Sequence, residues 1–482
     1  MKNTFALINK TPPEILSLVP TYLKDSYMDE TLITLTHVCR SWRAVFILHP
    51  SFWVRLDCMN TDKTRVYIER SKTLPLELRL GRVNDAFRRG GAFLLVVPHI
   101  PRLRSLSVSG DPGRVLPVLV EHFSSPAPLL DYLKINFECD QAQALPGELF
   151  NRDLSNLRVF CLVGVITPLP WRGLLNLTTF ILCRVPAERI LLTQLLDFFE
   201  SASHLRHIYL HDSIPNFSNA LPERVVFLSH LQDLSITAQP THSILLNHLS
   251  IPAKTSLRLE FTFSGKESPI PSYLPKPLDN LNNLSGITAV NLCFGSERRF
   301  MRLNGPSGDL YILGNWTRGG DPLHAGTNRF MQSLLQFDVS GIRWLSITRS
   351  SYQSRSSDQI ETWSAYKTLR PITGLRTLML AHCRNLPFIQ TLNPNKNPAE
   401  VVLCPKLEEI ILYIKHFDQF QIDELLKMAE GRASRGAKLT AITIVSTDAL
   451  APTKEVFQLR KHVLRVEYKF DDALPEWDAL PS

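Results

Sequence analysis

One arrangement of apolar positions returns along most of the chain. An apolar residue is followed by two variable ones, a second apolar residue, one variable residue and a third apolar residue. It occurs at Leu103/Leu106/Val108, Leu130/Leu133/Ile135, Leu157/Phe160/Leu162, Leu177/Phe180/Leu182, Leu205/Ile208/Leu210 and Leu231/Leu234/Ile236. It continues at Ile287/Val290/Leu292, Ile342/Leu345/Ile347, Leu375/Leu378/Leu380, Leu407/Ile410/Leu412 and Leu439/Ile442/Ile444. Starting positions lie 20 to 33 residues apart, except for two gaps of 56 and 55. Each long gap is close to two ordinary periods, which predicts one degenerate unit in each, near 257–261 and 310–313. The last two positions of the pattern alternate as in a strand with one buried face. Between the strands, residues 190–200 and 421–430 carry amphipathic helical spacing. One such unit cannot bury its own stripe, so units must stack with their strands side by side. The expected fold is α/β, with parallel strands on a concave face and helices or irregular arms outside. A doubly wound α/β sheet with similar strands is the competing architecture.

Residues 11–53 do not follow this pattern. Pro12 and Pro13 suit the first turn of a helix, where a missing N–H costs nothing. Glu14 complements the helix dipole there. Ile15, Leu18, Val19 and Leu23 recur at spacings of three and four, with Pro20 bending or ending the helix. Residues 24–30 read as a polar loop. A second helix is expected from Thr31, with Leu32, Leu35 and Val38 on one face, and a third over 39–48 carrying Trp42, Val45 and Phe46. Phe52 and Trp53 are expected to fold back as an aromatic plug. Three short helices bury little apolar surface on their own, so this unit calls for a partner or a following domain. A strand at 54–58, a helix at 62–71 capped by Asn60 or Thr61, and a strand through Leu76, Leu78 and Leu80 come next. The expected domains are a helical module (1–58), a linker or first capping unit (59–100), the repeat body (101–450), and a C-terminal cap and tail (451–482).

Composition narrows the function classes. Hydrophobic residues make up 44% and charged residues 20% of the chain, values of a globular protein. The net charge is +8, but no run of five basic residues occurs, so nucleic-acid binding is not expected. No apolar stretch is long enough to cross a bilayer, and the N-terminus lacks the apolar core of a signal peptide. A cytoplasmic or nuclear protein is expected. The eight cysteines include no Cys-x-x-Cys pair and read as small apolar residues. His204, His207 and His211 look like a metal cluster. However, His207 and His211 are four residues apart on one strand, about 13 Å at 3.3 Å per residue. They cannot share an ion, and no metal or cofactor is expected. The glycine-rich turns at 109–113 and 304–309 lack the Lys and Ser/Thr of a phosphate-binding loop. No nucleophile elbow or catalytic cysteine context is present, so the chain is not expected to be an enzyme. Variable strand positions, including Ser105, Ser107, Cys161, Asp233, Ser235, Ser346 and Thr377, should face the concave surface. Among them His207, Tyr209, His211, Trp344 and Met379 are candidates for a protein-recognition patch.

Two family resemblances follow from these residues. Pro12-Pro13-Glu14-Ile15-Leu16, Val38-Cys39-Arg40-Ser41-Trp42-Arg43 and Phe52-Trp53 resemble the F-box, most closely as it occurs in the F-box proteins of mushroom-forming fungi. The body resembles leucine-rich repeats, and Leu375-x-x-Leu378-x-Leu380-x-x-Cys383-x-x-Leu386 matches the fuller consensus. The resemblance implies a substrate-recognition subunit of an SCF-type cullin–RING ubiquitin ligase. Pro12, Glu14, Ile15, Val19, Leu32, Leu35, Val38 and Trp42 would dock a Skp-type adaptor and, through it, a cullin. The repeats would hold a target protein for ubiquitin-dependent degradation. The alternative is a ligase-independent repeat scaffold in which the helices only cap the body.

Overall fold

The computed structural model describes residues 11–18, 28–81, 91–137, 142–145, 149–152, 154–166, 174–185, 191–213, 224–238, 245–263, 274, 278, 280–294, 298–316, 331, 333–349, 362–381, 386–396, 401–414, 419–446 and 457–470. The protein is a mixed α/β structure whose strands are mostly parallel. It divides into two compact units, Met1–Leu205 and Arg206–Ser482, with the division inside the span expected to form one repeat body. Among the described residues, no helix is long and apolar enough to cross a membrane.

The first unit begins with α1 (Pro13–Leu18), α2 (Met28–Val38) and α3 (Arg40–Leu48). The second helix starts three residues before the expected Thr31, inside the stretch read as a loop. Cys39 caps α3, its Sγ accepting from the Trp42 N–H at 3.5 Å. The aromatic plug forms as expected. Trp53 is buried, donates from Nε1 to the Phe46 carbonyl at 2.9 Å, and meets Tyr67 edge-on. Tyr67 belongs to α4 (Thr61–Ser71), which Asn60 caps by accepting from the Lys63 N–H.

Six strands of this unit then pair in chain order, all parallel: β1 (Arg55–Leu56), β2 (Leu76–Leu80), β3 (Leu103–Gly110), β4 (Tyr132–Phe137), β5 (Val159–Val163) and β6 (Thr179–Cys183). The register lines up Leu56, Leu78, Leu106, Leu133, Phe160 and Phe180 as one buried row. Leu80, Val108, Ile135, Leu162 and Leu182 form a second. Each fully buried side chain of this kind contributes about 2 kcal/mol. The row is therefore what makes the strands stack. Helices α5 (Pro112–His122) and α6 (Leu192–Ser201) fill arms between strands, with Leu195, Leu196, Phe198 and Phe199 buried.

The second unit holds β7 (His207–His211), β8 (Asp233–Ala238), β9 (Ser256–Phe263), β10 (Ala289–Phe294), β11 (Arg298–Gly305), β12 (Gly308–Trp316), β13 (Trp344–Arg349), β14 (Thr377–Ala381), β15 (Glu409–Ile414), β16 (Ala441–Ser446) and β17 (Arg465–Phe470). The strand expected near 257–261 is β9, parallel to β8. The unit expected near 310–313 is different. Strand β12 lies beside β9, but the chain reaches it by a hairpin from β11, which is itself antiparallel to β10. The lateral order is β9, β12, β11, β10, β13, so a switchback interrupts the parallel run. Its turn is glycine-dependent. Gly308 has φ of +150°, and a Cβ there would stand 2.5 Å from the Ala253 carbonyl oxygen. From β13 to β16 strands and helices alternate, with α7 (Thr362–Leu369), α8 (Leu386–Leu392) and α9 (Gln419–Ser434) packed in sequence. The segment expected as a C-terminal cap supplies β17, parallel to β16.

A second correction concerns the face between the buried rows. Cys161, Ser235, Ser346 and Met379 were expected on an open surface but are 2–7% exposed. Along β16 every residue is buried. Parallel strands covered on both faces read as continuous apolar runs, and Leu378–Ala381 and Ala441–Val445 have that character. The alternation rule assigned these positions to solvent because it presumes one wet face.

Candidate functional site

The helical module is built around Leu16, Leu32, Trp42 and Phe46. The Trp42 and Phe46 rings meet edge-on at 5.8 Å, and Phe52 tilts onto Phe46 at 5.5 Å. The Arg43 guanidinium ties α3 to α2 by donating to the Thr36 carbonyl at 2.8 Å. The core is small, and apolar side chains remain outside it on all three helices. Ile15 is 53% exposed, Leu18 48%, Ile33 45%, Val38 51% and Leu48 70%. The Trp42 Nε1–H is buried and meets no acceptor among the described residues.

The expected adaptor contacts fall into three groups. Pro12, Glu14, Ile15 and Val38 are exposed, and Leu35 is half-buried. Leu32 and Trp42 are core residues, so they position the helices and do not present a docking surface. Val19 lies outside the described residues. Leu18, singled out by the helical spacing, is exposed as well, and Ile33 and Leu48 are exposed apolar positions that the spacing did not single out.

The strand candidates of the second unit also separate. On β7, His207, Tyr209 and His211 are half-buried on one face. His207 Nδ1 is 2.7 Å from Asp233 Oδ2 and His211 Nδ1 is 2.8 Å from Thr237 Oγ1, both on the adjacent strand. The Tyr209 and His211 rings stack at 6.4 Å. Burial holds the His211 imidazole below its ordinary pKa and pushes the Tyr209 phenol up. Each histidine has its own partner, and among the described residues no group of His, Cys, Asp or Glu is arranged to hold a metal. Trp344 is half-buried at the start of β13, whereas Met379, expected to be exposed, is 4% exposed and belongs to the core.

In the first unit, the sequence pattern left a site unnoticed. Between the buried rows of β2, β3 and β4, the intervening side chains line a cavity of about 560 Å³. Its lining is Glu77, Arg79, Arg104, Ser105, Ser107, Asp131, Tyr132 and Lys134. Glu77 pairs with Arg55 at 2.9 Å and Asp131 with Arg104 at 2.9 Å. Only Ser105 and Ser107 had been marked as surface positions. The signal in the sequence was the register itself, which puts polar residues from three successive repeats side by side.

No protein-family model matches the chain, and no curated protein matches it.

Proposed function

We propose that the chain is the substrate-recognition subunit of an SCF-type cullin–RING ubiquitin ligase, its N-terminal helices an F-box and its body leucine-rich repeats. The single observation that carries this reading is the character of α1, α2 and α3. They combine the F-box-like sequence with Ile15, Leu18, Ile33, Val38 and Leu48 left substantially exposed on a module with a minimal core. Exposed apolar side chains clustered in so small a unit mark an interaction site. A Skp-type adaptor would cover them, and a cullin would join through the adaptor. The chain itself supplies no bond-making residue. Its catalytic contribution is proximity, holding a target's lysines near the ubiquitin-carrying enzyme.

The test is co-purification with the adaptor. Ile15→Glu with Val38→Glu is expected to abolish adaptor capture while the melting temperature stays within a few degrees of wild type. Capture by the double variant at the wild-type level would overturn the proposal.

A second reading, a ligase-independent scaffold with the helices as a cap, is favoured by Trp53. That side chain packs on Tyr67 of α4, and the Arg70 guanidinium lies 4.3 Å from its ring centroid, joining the module to the first strands. Under this reading the same double variant has no binding phenotype.

A further inference from the structure

The last strand of the second unit has an open edge. Strand β17 pairs with β16, and no other strand among the described residues pairs with it. Such an edge offers a row of backbone N–H and C=O groups to another chain. Arg465 donates its N–H to the Thr440 carbonyl, on the β16 side, at 2.9 Å. Alternation along the strand therefore turns the backbone groups of Val466, Tyr468 and Phe470 towards the outer edge. The side chains of these three residues extend the rows that pass through Ile442, Ile444 and Ser446 of β16. Their cover fails along the strand, since Val466 is buried, Tyr468 half-buried and Phe470 exposed. Phe457 and Leu464 are exposed in the same terminal segment. A stacked array normally ends on a unit with a polar outer face, and this one ends on apolar side chains.

The opposite face of β17 carries Arg465, Glu467 and Lys469, with Glu467 3.3 Å from each of its two neighbours. Alternating charge of this kind discourages pairing with an arbitrary strand. It does not discourage pairing with itself. Two copies that continue one sheet run antiparallel about a two-fold axis, and directly opposed side chains share a face. A pairing centred on Glu467 sets Glu467 against Glu467 and Arg465 against Lys469, which is repulsive throughout. One centred on Val466 sets the Lys469 ammonium against Val463, a buried residue that precedes the strand. One centred on Tyr468 sets Glu467 against Lys469 at two crossings and Val466 against Phe470 at two more. In that register Val466, Tyr468 and Phe470 are the hydrogen-bonded partners, and theirs are the backbone groups turned to the edge.

We infer that the edge of β17 is an interface for a second copy of this chain, paired antiparallel about Tyr468 and held by reciprocal Glu467–Lys469 contacts. This goes beyond the proposed adaptor docking and does not depend on it. The pairing segment lies in the second unit and the helical module in the first, so chain and adaptor would still combine one-to-one.

The full chain is measured without adaptor by size exclusion with light scattering, at low salt and from sub-micromolar to tens of micromolar. The mass is expected to move from that of one chain to that of two. Glu467→Lys puts Lys against Lys at both crossings and is expected to weaken self-association about tenfold, as is Lys469→Glu, which puts Glu against Glu. An equal mixture of the two single variants is expected to form a mixed pair, because their charges are then complementary. Glu467→Lys with Lys469→Glu in one chain reverses both signs and is expected to restore self-association. This double variant keeps the composition of the strand, so its recovery separates lost pairing from lost folding. A chain that stays single at every concentration would overturn the inference and leave the edge to a strand of another protein. Self-association of Glu467→Lys at the wild-type level, or a double variant that stays single, would overturn it as well.

Discussion

Individual residues show where the sequence is read correctly and where it misleads. Leu103, Leu106 and Val108 were legible because a period of two with one buried face is a strong signal, and all three are buried. What was missed is the residue three positions before each strand's first leucine. Leu130, Leu157, Leu177, Leu231 and Leu407 each donate a backbone N–H to the carbonyl three residues back, closing a turn on Ala127, Leu154, Leu174, Leu228 and Cys404. Those five are buried too, a further apolar row hidden because turns have no fixed period. Cys404 sits at φ +46°, and its turn is held by Arg432, a fully buried guanidinium that donates to the Leu403 and Cys404 carbonyls at 2.8 and 3.0 Å. Arg432→Met leaves both acceptors unmet and is expected to cost on the order of 3 kcal/mol in denaturant unfolding. Burial pushes the Cys58 and Cys404 thiols up to about 12, so neither holds a thiolate near neutral pH. Iodoacetamide is expected to leave both unlabelled in the native protein, with labelling appearing only on unfolding; labelling at native rates comparable to a free thiol would contradict their burial.

Among the elements, the informative one is the hairpin of β11 and β12. The sequence between 257 and 342 has the right length for two more repeats, and strand-like residues at Leu310, Ile312 and Leu313. Length and alternation are the same for a repeat strand and for the returning arm of a hairpin. Only the turn at 305–308 distinguishes them, since its glycines permit a reversal that a repeat arm does not need. Gly308→Ala must place a methyl against the Ala253 and Thr255 carbonyls, at 2.5 and 2.8 Å. The expected loss is about 2–3 kcal/mol, with the damage centred on β9 to β12 in hydrogen exchange. Uniform protection across these strands in the variant would mean the turn is not what holds the switchback. The helical module teaches a related lesson. Spacing of three and four identified apolar positions correctly but did not say which face inwards. Leu32 and Trp42 turned out to be core, and Ile15 and Val38 are the exposed ones.

At the scale of the molecule, stacked rows of aliphatic side chains carry the fold. Two half-buried histidines, His99 in a short helical turn and His211 on β7, respond to acid through burial. Burial lowers the pKa of His99 and of His211, so each takes up protons less readily when folded than when unfolded. A free imidazole titrates at about 6.5, so their contribution to stability is present above that pH and is lost as pH falls below it. The melting temperature is expected to drop between pH 7.5 and 5.5, and His211→Gln to flatten part of that drop; an identical slope in the variant would remove His211 from the explanation. The polar face of β2 to β4 and the exposed apolar side chains of the helices lie on different parts of the first unit's sequence. The most direct measurement is therefore the mass of the complex that the purified full-length chain forms with a purified Skp-type adaptor, by size exclusion with light scattering. A one-to-one complex that Ile15→Glu with Val38→Glu dissolves is the predicted result. A chain that elutes alone beside the adaptor at micromolar concentrations of both would contradict the account.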